Sequence, residues 1–316
     1  MNALVTGAAG FVGSHLSEHL TERGHAVIGV DCFTDYYARE TKEANLASLR
    51  ARPRFRFVES AIRDAAWDEL LDGVTHVFHL AAQAGVRASW GREFSVYTAL
   101  NVDATQILLE ACVDRPLERF VYASSSSVYG DGVPIPMRED ARPRPLSPYG
   151  VTKLAAEHLC LLYHANCGIP AVALRYFTVY GPRQRPDMAF HRFLSRLLAD
   201  RPIQLYGDGE QTRDFTFVED AVAATVAAAS SGAPGGVYNV GGGSRVSMNE
   251  VIDVIARCTG RVPDVRRVAP QRGDMRDTFA DTSRARADLE FVPRVALEQG
   301  ILAEYQWLAT TASTVS

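Results

Sequence analysis

Residues 4–16 read LVTGAAGFVGSHL, and the placing of Gly7, Gly10 and Gly13 in that stretch decides how the rest of the chain is read. The aliphatic run before Gly7 has the character of a buried strand, and the segment after Gly10 continues with helical spacing. Glycines at such a joint have separate uses. Gly7 permits a tight turn, Gly10 lets the backbone approach a pyrophosphate, and Gly13 lets helix and strand pack closely. The unpaired N–H groups and the dipole at the helix start favour an anion there. A glycine-rich turn alone is also an ordinary structural feature. Its weight here comes from the next strand, HAVIGVD, which ends at Asp31, eighteen residues beyond Gly13. A carboxylate at that place accepts both hydroxyls of an adenosine ribose and repels a 2′-phosphate. No Arg immediately follows Asp31, so NAD is favoured over NADP.

Outward from this stretch, NALVT, HAVIGV, RFRFV, THVFHLA and RFVYAS read as strands. FVGSHLSEHLTERG, ARETKEANLASLR, AWDELLDG and FSVYTALNVDATQILLEACVD read as helices between them. Such alternation implies right-handed crossovers and a parallel sheet covered on both faces. The fold class is therefore α/β, a Rossmann-type doubly wound parallel sheet with a smaller mixed α/β C-terminal domain. Gly24 and Gly168 stand where helices would end. Past residue 177 the segments GPRQRPDM, YGDGEQTRDF and APQRGDMRD, rich in Gly, Pro, Arg and Asp, separate helical stretches, and GVYNVGGG reads as a strand returning to the first sheet. The expected nucleotide-binding domain is 1–177 with a return of about 212–243; 178–211 and 244–316 form the second domain. The tail TTASTVS is expected to fray.

Composition narrows the class. Of 316 residues, 47% are apolar and the net charge is −4, which gives no electrostatic reason for nucleic acid or a membrane surface as partner. Cysteines at 32, 112, 160, 167 and 258 include no CxxC pair, so neither a disulfide framework nor a zinc site is indicated, and no other metal is expected. Reduced thiols in the cytoplasm fit best. The most apolar stretch, AVAATVAAA, is too short to span a bilayer and reads as a packed helix. His15, His19 and His79 read as packing or solvated helix residues rather than reactive ones.

SPYGVTK holds Tyr149 and Lys153, which share a face if the segment is helical. An ammonium beside a phenol stabilises phenolate, and a bound pyridinium would add to this, so the phenol is expected to fall from about 10 toward neutrality. The spacing alone is common. Joined to the glycine turn and the serine-rich strand end YASSSSVYG, it resembles the extended short-chain dehydrogenase/reductase family, specifically its NAD-dependent nucleotide-sugar epimerases and dehydratases. VTGAAGFVGSH, HLAAQAGVR, RYFTVYGPRQRPDM, GDGEQTRDFTFVEDA, YNVGGG and RGDM follow in the family's order, so the resemblance covers nearly the whole length.

The resemblance implies roles. Ser125, Tyr149 and Lys153 would be catalytic, with Tyr149 taking the C4 hydroxyl proton while hydride passes to NAD⁺. Gly7, Gly10, Phe11, Val12, Gly13 and Asp31 would hold NAD, together with Ile62, Leu80, Ala81, Ala82, Asn101 and Tyr176 and the two catalytic residues Tyr149 and Lys153. Ser126 and Ser127 stand where related dehydratases and decarboxylases place acids, which argues for plain redox epimerisation. DCFTDYYARETKEANL and HLAAQAGVRASW look most like the UDP-glucuronate 4-epimerase branch. Arg185 and Thr178 would meet the sugar carboxylate, keeping its bond near the plane of the 4-keto carbonyl and so suppressing CO₂ loss. Arg87 would support either the pyrophosphate or its own loop. Ala189 and Phe190 would wall the site, Arg213 and Arg272 would bind the UDP phosphates, Asp274 the uridine ribose, and Gln211 would also touch substrate. A homodimer through the helices of YTALNVDATQILLEA and VTKLAAEHLCLLY is implied as well. Ser60-Ala61 replaces a usual Gly-Asp and Cys32 a usual Asn, which puts one adenine contact in doubt. The alternatives are a neutral UDP-sugar 4-epimerase, a UDP-glucuronate decarboxylase and a non-catalytic NAD sensor.

Overall fold

The strands of the first half all pair in parallel in the computed structural model, which describes residues 1–315. They are β1 (Asn2–Thr6), β2 (Ala26–Asp31), β3 (Phe55–Glu59), β4 (His76–His79), β5 (Arg119–Ser125) and β6 (Ala171–Tyr176). β7 (Thr178–Tyr180), β8 (Ile203–Tyr206) and β9 (Thr212–Phe217) leave this sheet, and β10 (Val237–Val240) returns to it. The result is a seven-stranded sheet in the order β10-β6-β5-β4-β1-β2-β3. The order reverses between β1 and β4, and the crevice beyond the strand ends at such a reversal is where ligands bind in open α/β sheets. β11 (Arg245–Ser247) joins β9 and β7 in a second sheet, and β12 (Val265–Val268) pairs with β8 in a third.

The helices are α1 (Phe11–Glu22), α2 (Arg39–Arg50), α3 (Trp67–Leu70), α4 (Phe94–Tyr97), α5 (Ala104–Cys112) and α6 (Pro148–Cys167) in the first half. α7 (Ala189–Leu198), α8 (Val218–Ser231), α9 (Met248–Thr259), α10 (Ser283–Leu289) and α11 (Leu297–Val315) follow. One face of the large sheet is buried under Leu16 and Leu20 of α1 and Val222, Ala224 and Ala228 of α8. The other lies under Trp67, Leu108, Leu109, Ala156 and Cys160 of α3, α5 and α6. Burial on both faces is why the inner strands β1 and β4 to β6 read as largely apolar runs, whereas the edge strand β3 alternates. α7, α9 and α11 enclose a separate core around β7 and β9, built on Phe190, Phe193, Leu194, Val251, Ile255 and Ile301.

Several expectations change. Of the segment 212–243, α8 and β10 join the large sheet, while β9 pairs with β7 and β11 instead. α10 sends Ala285 and Leu289 into the large-sheet core, so part of the C-terminal region packs there. The long helix expected at 94–114 is interrupted by a π-helical turn, Thr98–Asp103, between α4 and α5. The segment expected to fray begins inside a helix. α11 runs on to Val315, with the hydroxyls of Thr310 and Thr311 bonded to the carbonyls of Gln306 and Trp307; Ser316 lies outside the described residues. Among the described residues no helix is long and apolar enough to cross a membrane.

Candidate active site

A cavity of about 880 Å³ opens at the carboxyl ends of β1, β2, β4, β5 and β6 and extends to the loops around β8 and β9. At its floor Gly7 adopts φ +72°, and a Cβ there would meet the Ala81 nitrogen at 2.9 Å. A Cβ on Gly13 would lie 2.1 Å from the Gly7 carbonyl oxygen, so only glycine lets α1 start this close to the turn. No side chain caps α1, which leaves its first N–H groups for an anion. Asp31, at the end of β2, accepts from the Ala9 and Phe33 nitrogens at 3.1 and 2.9 Å. Burial pushes its carboxyl up, opposed by the Phe33 N–H and the Lys42 ammonium. A glycine cradle at a helix start with a carboxylate at the second strand end fits a dinucleotide. NAD would lie against Gly7, Gly10, Phe11, Val12, Gly13 and Asp31, all of which line the cavity, as do Ile62, Leu80, Ala81, Ala82 and Tyr176.

Tyr149 and Lys153 project from the start of α6. Ser147 caps that helix, its hydroxyl oxygen accepting the Gly150 N–H at 3.1 Å, and Pro148 occupies the first turn. Ser125 is the last residue of β5, and its hydroxyl is one of the groups that act to lower the Tyr149 phenol. The other serines divide the labour. Ser127 donates its N–H to the Ser125 oxygen at 3.1 Å, while Ser124 turns away and donates to Glu157 at 2.6 Å. Glu157 is in turn gripped by Arg175 at 2.6 and 3.0 Å, a buried pair that clamps α6 against β5 and β6.

The electrostatics differ from the expectation. Burial pushes the Tyr149 phenol above its usual value, and the groups that pull it back are the Arg185 guanidinium and the Ser125 hydroxyl. Lys153 lies one turn further along α6. Its ammonium sits 4.4 Å from the centre of the Tyr122 ring, and burial lowers it to about 7. The sharing of a helix face sets side-chain direction only; the shifts that burial brings are invisible in the spacing.

Thr178, Ala189, Arg185, Arg87, Gln211, Arg213 and Asp274 line the cavity with Ser125, Ser126 and Ser127. Arg87 bonds Asp274 through Nε at 3.3 Å and Nη2 at 2.7 Å and lies over the Tyr206 ring at 4.2 Å. Arg213 donates to the carbonyls of Thr212 and Arg276 at 2.8 and 3.2 Å. The Gln211 amide donates to the Tyr206 carbonyl at 2.8 Å, and its buried oxygen finds no donor among the described residues. Three expected residues stand back from the cavity. Arg272 stacks over Trp90 at 3.8 Å, and Phe190 is buried in packing against Phe215 and Tyr180. Asn101, on the π-helical turn, joins Gln83 N and O to Thr152 through bonds of 2.7, 3.0 and 3.0 Å. It positions the loop after β4 against α6. Lining residues that the sequence reading did not assign include Tyr36, Lys42, Asp187, Arg192 and Tyr206. Tyr36 and Tyr37 lie in DCFTDYYARETKEANL, to whose tyrosines the resemblance gives no role.

Comparison with known proteins gives the family. The profile of the NAD dependent epimerase/dehydratase family matches residues 3–241. A solved structure of UDP-glucuronic acid 4-epimerase from Bacillus cereus in complex with UDP-glucuronic acid and NAD is 44% identical. It covers 98% of this chain and 100% of its own, with a TM-score of 0.96. A UDP-glucuronate 4-epimerase of Thermodesulfobacterium geofontis is 37% identical over 96% of this chain and 95% of its own length. A Bacillus subtilis relative, named an uncharacterized UDP-glucose epimerase, YtcB, is 44% identical over 98% of both chains. From its glycine turn to its returning strand, this chain is a member of the NAD dependent epimerase/dehydratase family.

Proposed function

We propose that the protein is an isomerase that interconverts UDP-glucuronate and UDP-galacturonate by inverting C4 through a transient 4-keto sugar. One observation carries the reading. The wall beside Tyr149 offers the hydroxyls of Ser125, Ser126, Ser127 and Thr178, with Arg185 as the cation acting on the phenol. The carboxylate in electrostatic reach of Tyr149 is Asp187, which Arg185 and Tyr36 hold ionised against the effect of burial. It has no proton to give to a departing hydroxyl, so elimination is disfavoured.

NAD supplies the hydride acceptor, later the donor, at C4 and, when oxidised, a positive charge. The protein does the rest. Tyr149 takes the C4 hydroxyl proton and returns it, with the Ser125 hydroxyl favouring the phenolate. Lys153, which burial lowers to about 7, lines the site from α6 over the Tyr122 ring. Thr178 and Arg185 hold the substrate carboxylate; Arg213, Arg87 and Asp274 hold the diphosphate and ribose. Within this reading residues 1–177, with the returning α8 and β10, serve NAD, and the interleaved remainder serves the UDP-sugar. Exposed Val151 and Leu162 on α6 and Phe94 and Val96 on α4 support a homodimer.

A neutral-sugar 4-epimerase is the second reading, favoured by the name of the Bacillus subtilis relative. Incubation with UDP-glucuronate and, separately, UDP-glucose decides between them. UDP-galacturonate with little UDP-pentose is the expected outcome; preferential turnover of UDP-glucose would overturn the assignment, and UDP-pentose as main product would indicate a decarboxylase.

A further inference from the structure

Arg185 does not face the cavity alone. Its Nε and Nη2 donate to the two carboxylate oxygens of Asp187, each at 3.0 Å. That carboxylate takes a third bond from a distant loop: the Tyr36 hydroxyl donates to Asp187 Oδ2 at 3.1 Å. The Tyr36 ring lies 5.9 Å from the guanidinium carbon of Arg185. All three side chains line the cavity.

Tyr36 is itself held from two sides. It stands five residues after Asp31 in the loop between β2 and α2. Asp31 accepts the Phe33 N–H, and Lys42 donates to the Thr34 carbonyl at 2.6 Å and hydroxyl at 3.1 Å, so the loop is fastened at the expected cofactor end. On the other side, the loop after β4 makes room for the phenol. Gly85 adopts φ +102°, and a Cβ there would lie 2.2 Å from the Tyr36 oxygen. The Tyr97 hydroxyl fixes this loop by contacts of 2.8 Å to the carbonyls of Ala84 and Gly85. Any side chain at residue 85 would displace the Tyr36 hydroxyl from Asp187.

We infer that Asp187 and Tyr36 are positioning residues that set the plane and the free edge of the Arg185 guanidinium for a substrate carboxylate. The inference rests on the reading of Arg185 given above. A guanidinium is a planar fork of five N–H groups. With Nε and one Nη2 hydrogen committed to Asp187, the remaining hydrogens point in fixed directions. An unpaired arginine would follow the carboxylate through several rotamers. That freedom matters for a 4-keto uronate. When its C5–carboxylate bond aligns with the carbonyl π system the bond breaks, CO₂ leaves, the electron pair forms the enolate, and protonation gives a 4-keto pentose. A guanidinium clamped by Asp187, and tied through Tyr36 to the cofactor-side loop, keeps the carboxylate out of that alignment.

The test uses the full chain, UDP-glucuronate, and the variants Asp187→Asn and Tyr36→Phe. Asp187→Asn should lower kcat/KM about tenfold or more, chiefly through KM, and raise the share of UDP-pentose products. Tyr36→Phe should act in the same direction by about threefold. Bound NAD and the melting temperature should stay near those of the wild type. Wild-type KM and wild-type product ratio in Asp187→Asn, even with a lowered melting temperature, would overturn the inference and leave a purely structural pair. If Asp187→Asn does not fold, Tyr36→Phe, which removes one oxygen, decides by the same readouts. A wild-type protein inert toward UDP-glucuronate would overturn the substrate reading as well; normal wild-type turnover with unchanged variants overturns the positioning role alone.

Discussion

At the residue scale the account rests on a half-buried phenol and the cations near it. Tyr149→Phe removes the proton carrier and should lower kcat by about 10²–10⁴-fold with NAD still bound, measured by product formation and by the NAD released on denaturation. Arg185 lowers the phenol that burial has raised. Arg185→Gln should therefore raise the phenol further, shrink the phenolate fraction at any given pH, and move the acid limb of the kcat profile to higher pH. A limb that stayed in place would remove Arg185 from the electrostatics of Tyr149. Much of this site was legible in the chain. Tyr149, Lys153 and the serines announced themselves by spacing, but the sharing out of the serines did not. Ser124 serves Glu157 while Ser125 serves Tyr149, a division set by which face of β5 each occupies. Tyr36 was missed because its partner Asp187 lies 151 residues away.

At the scale of elements, α6 must sit correctly on β5 for Tyr149 to meet Ser125. Two devices hold it, and they differ in weight. The Ser147 cap is one hydrogen bond at a helix start, so Ser147→Ala should cost about 1 kcal/mol in denaturant unfolding. Glu157 joins Arg175 and Ser124 in a buried ion pair. Glu157→Ala should cost about 3–5 kcal/mol, because it leaves the Arg175 charge buried without its partner. Equal costs for the two would mean that the clamp contributes no more than the cap. The capping serine and Pro148 could be read from SPYG directly. The clamp could not, since Glu157 and Arg175 belong to separate elements that only the sheet brings together. The π-helical turn at Thr98–Asp103 was likewise hidden, because apolar periodicity continues across it and Asn101 earns its place through loops far away in sequence.

At the scale of the whole molecule, strand–helix alternation fixed the parallel sheet in advance, and the return of β10 was visible in YNVGGG. The placement of β9 and α10 was not, since short strands and a seven-residue helix carry little periodic signal. Val151 and Leu162, eleven residues apart, fall on one side of α6 and are 47% and 55% exposed. That surface should be covered by a second copy, so light scattering should give twice the 34.6 kDa chain mass, and Leu162→Glu should return it to one chain. A monomeric wild type would remove the dimer from the account. The chemistry itself is tested most directly with UDP-glucuronate carrying deuterium at C4. The account predicts UDP-galacturonate that keeps the label at C4, formed more slowly than from the unlabelled sugar. Epimer that has exchanged its C4 label for solvent hydrogen would contradict it.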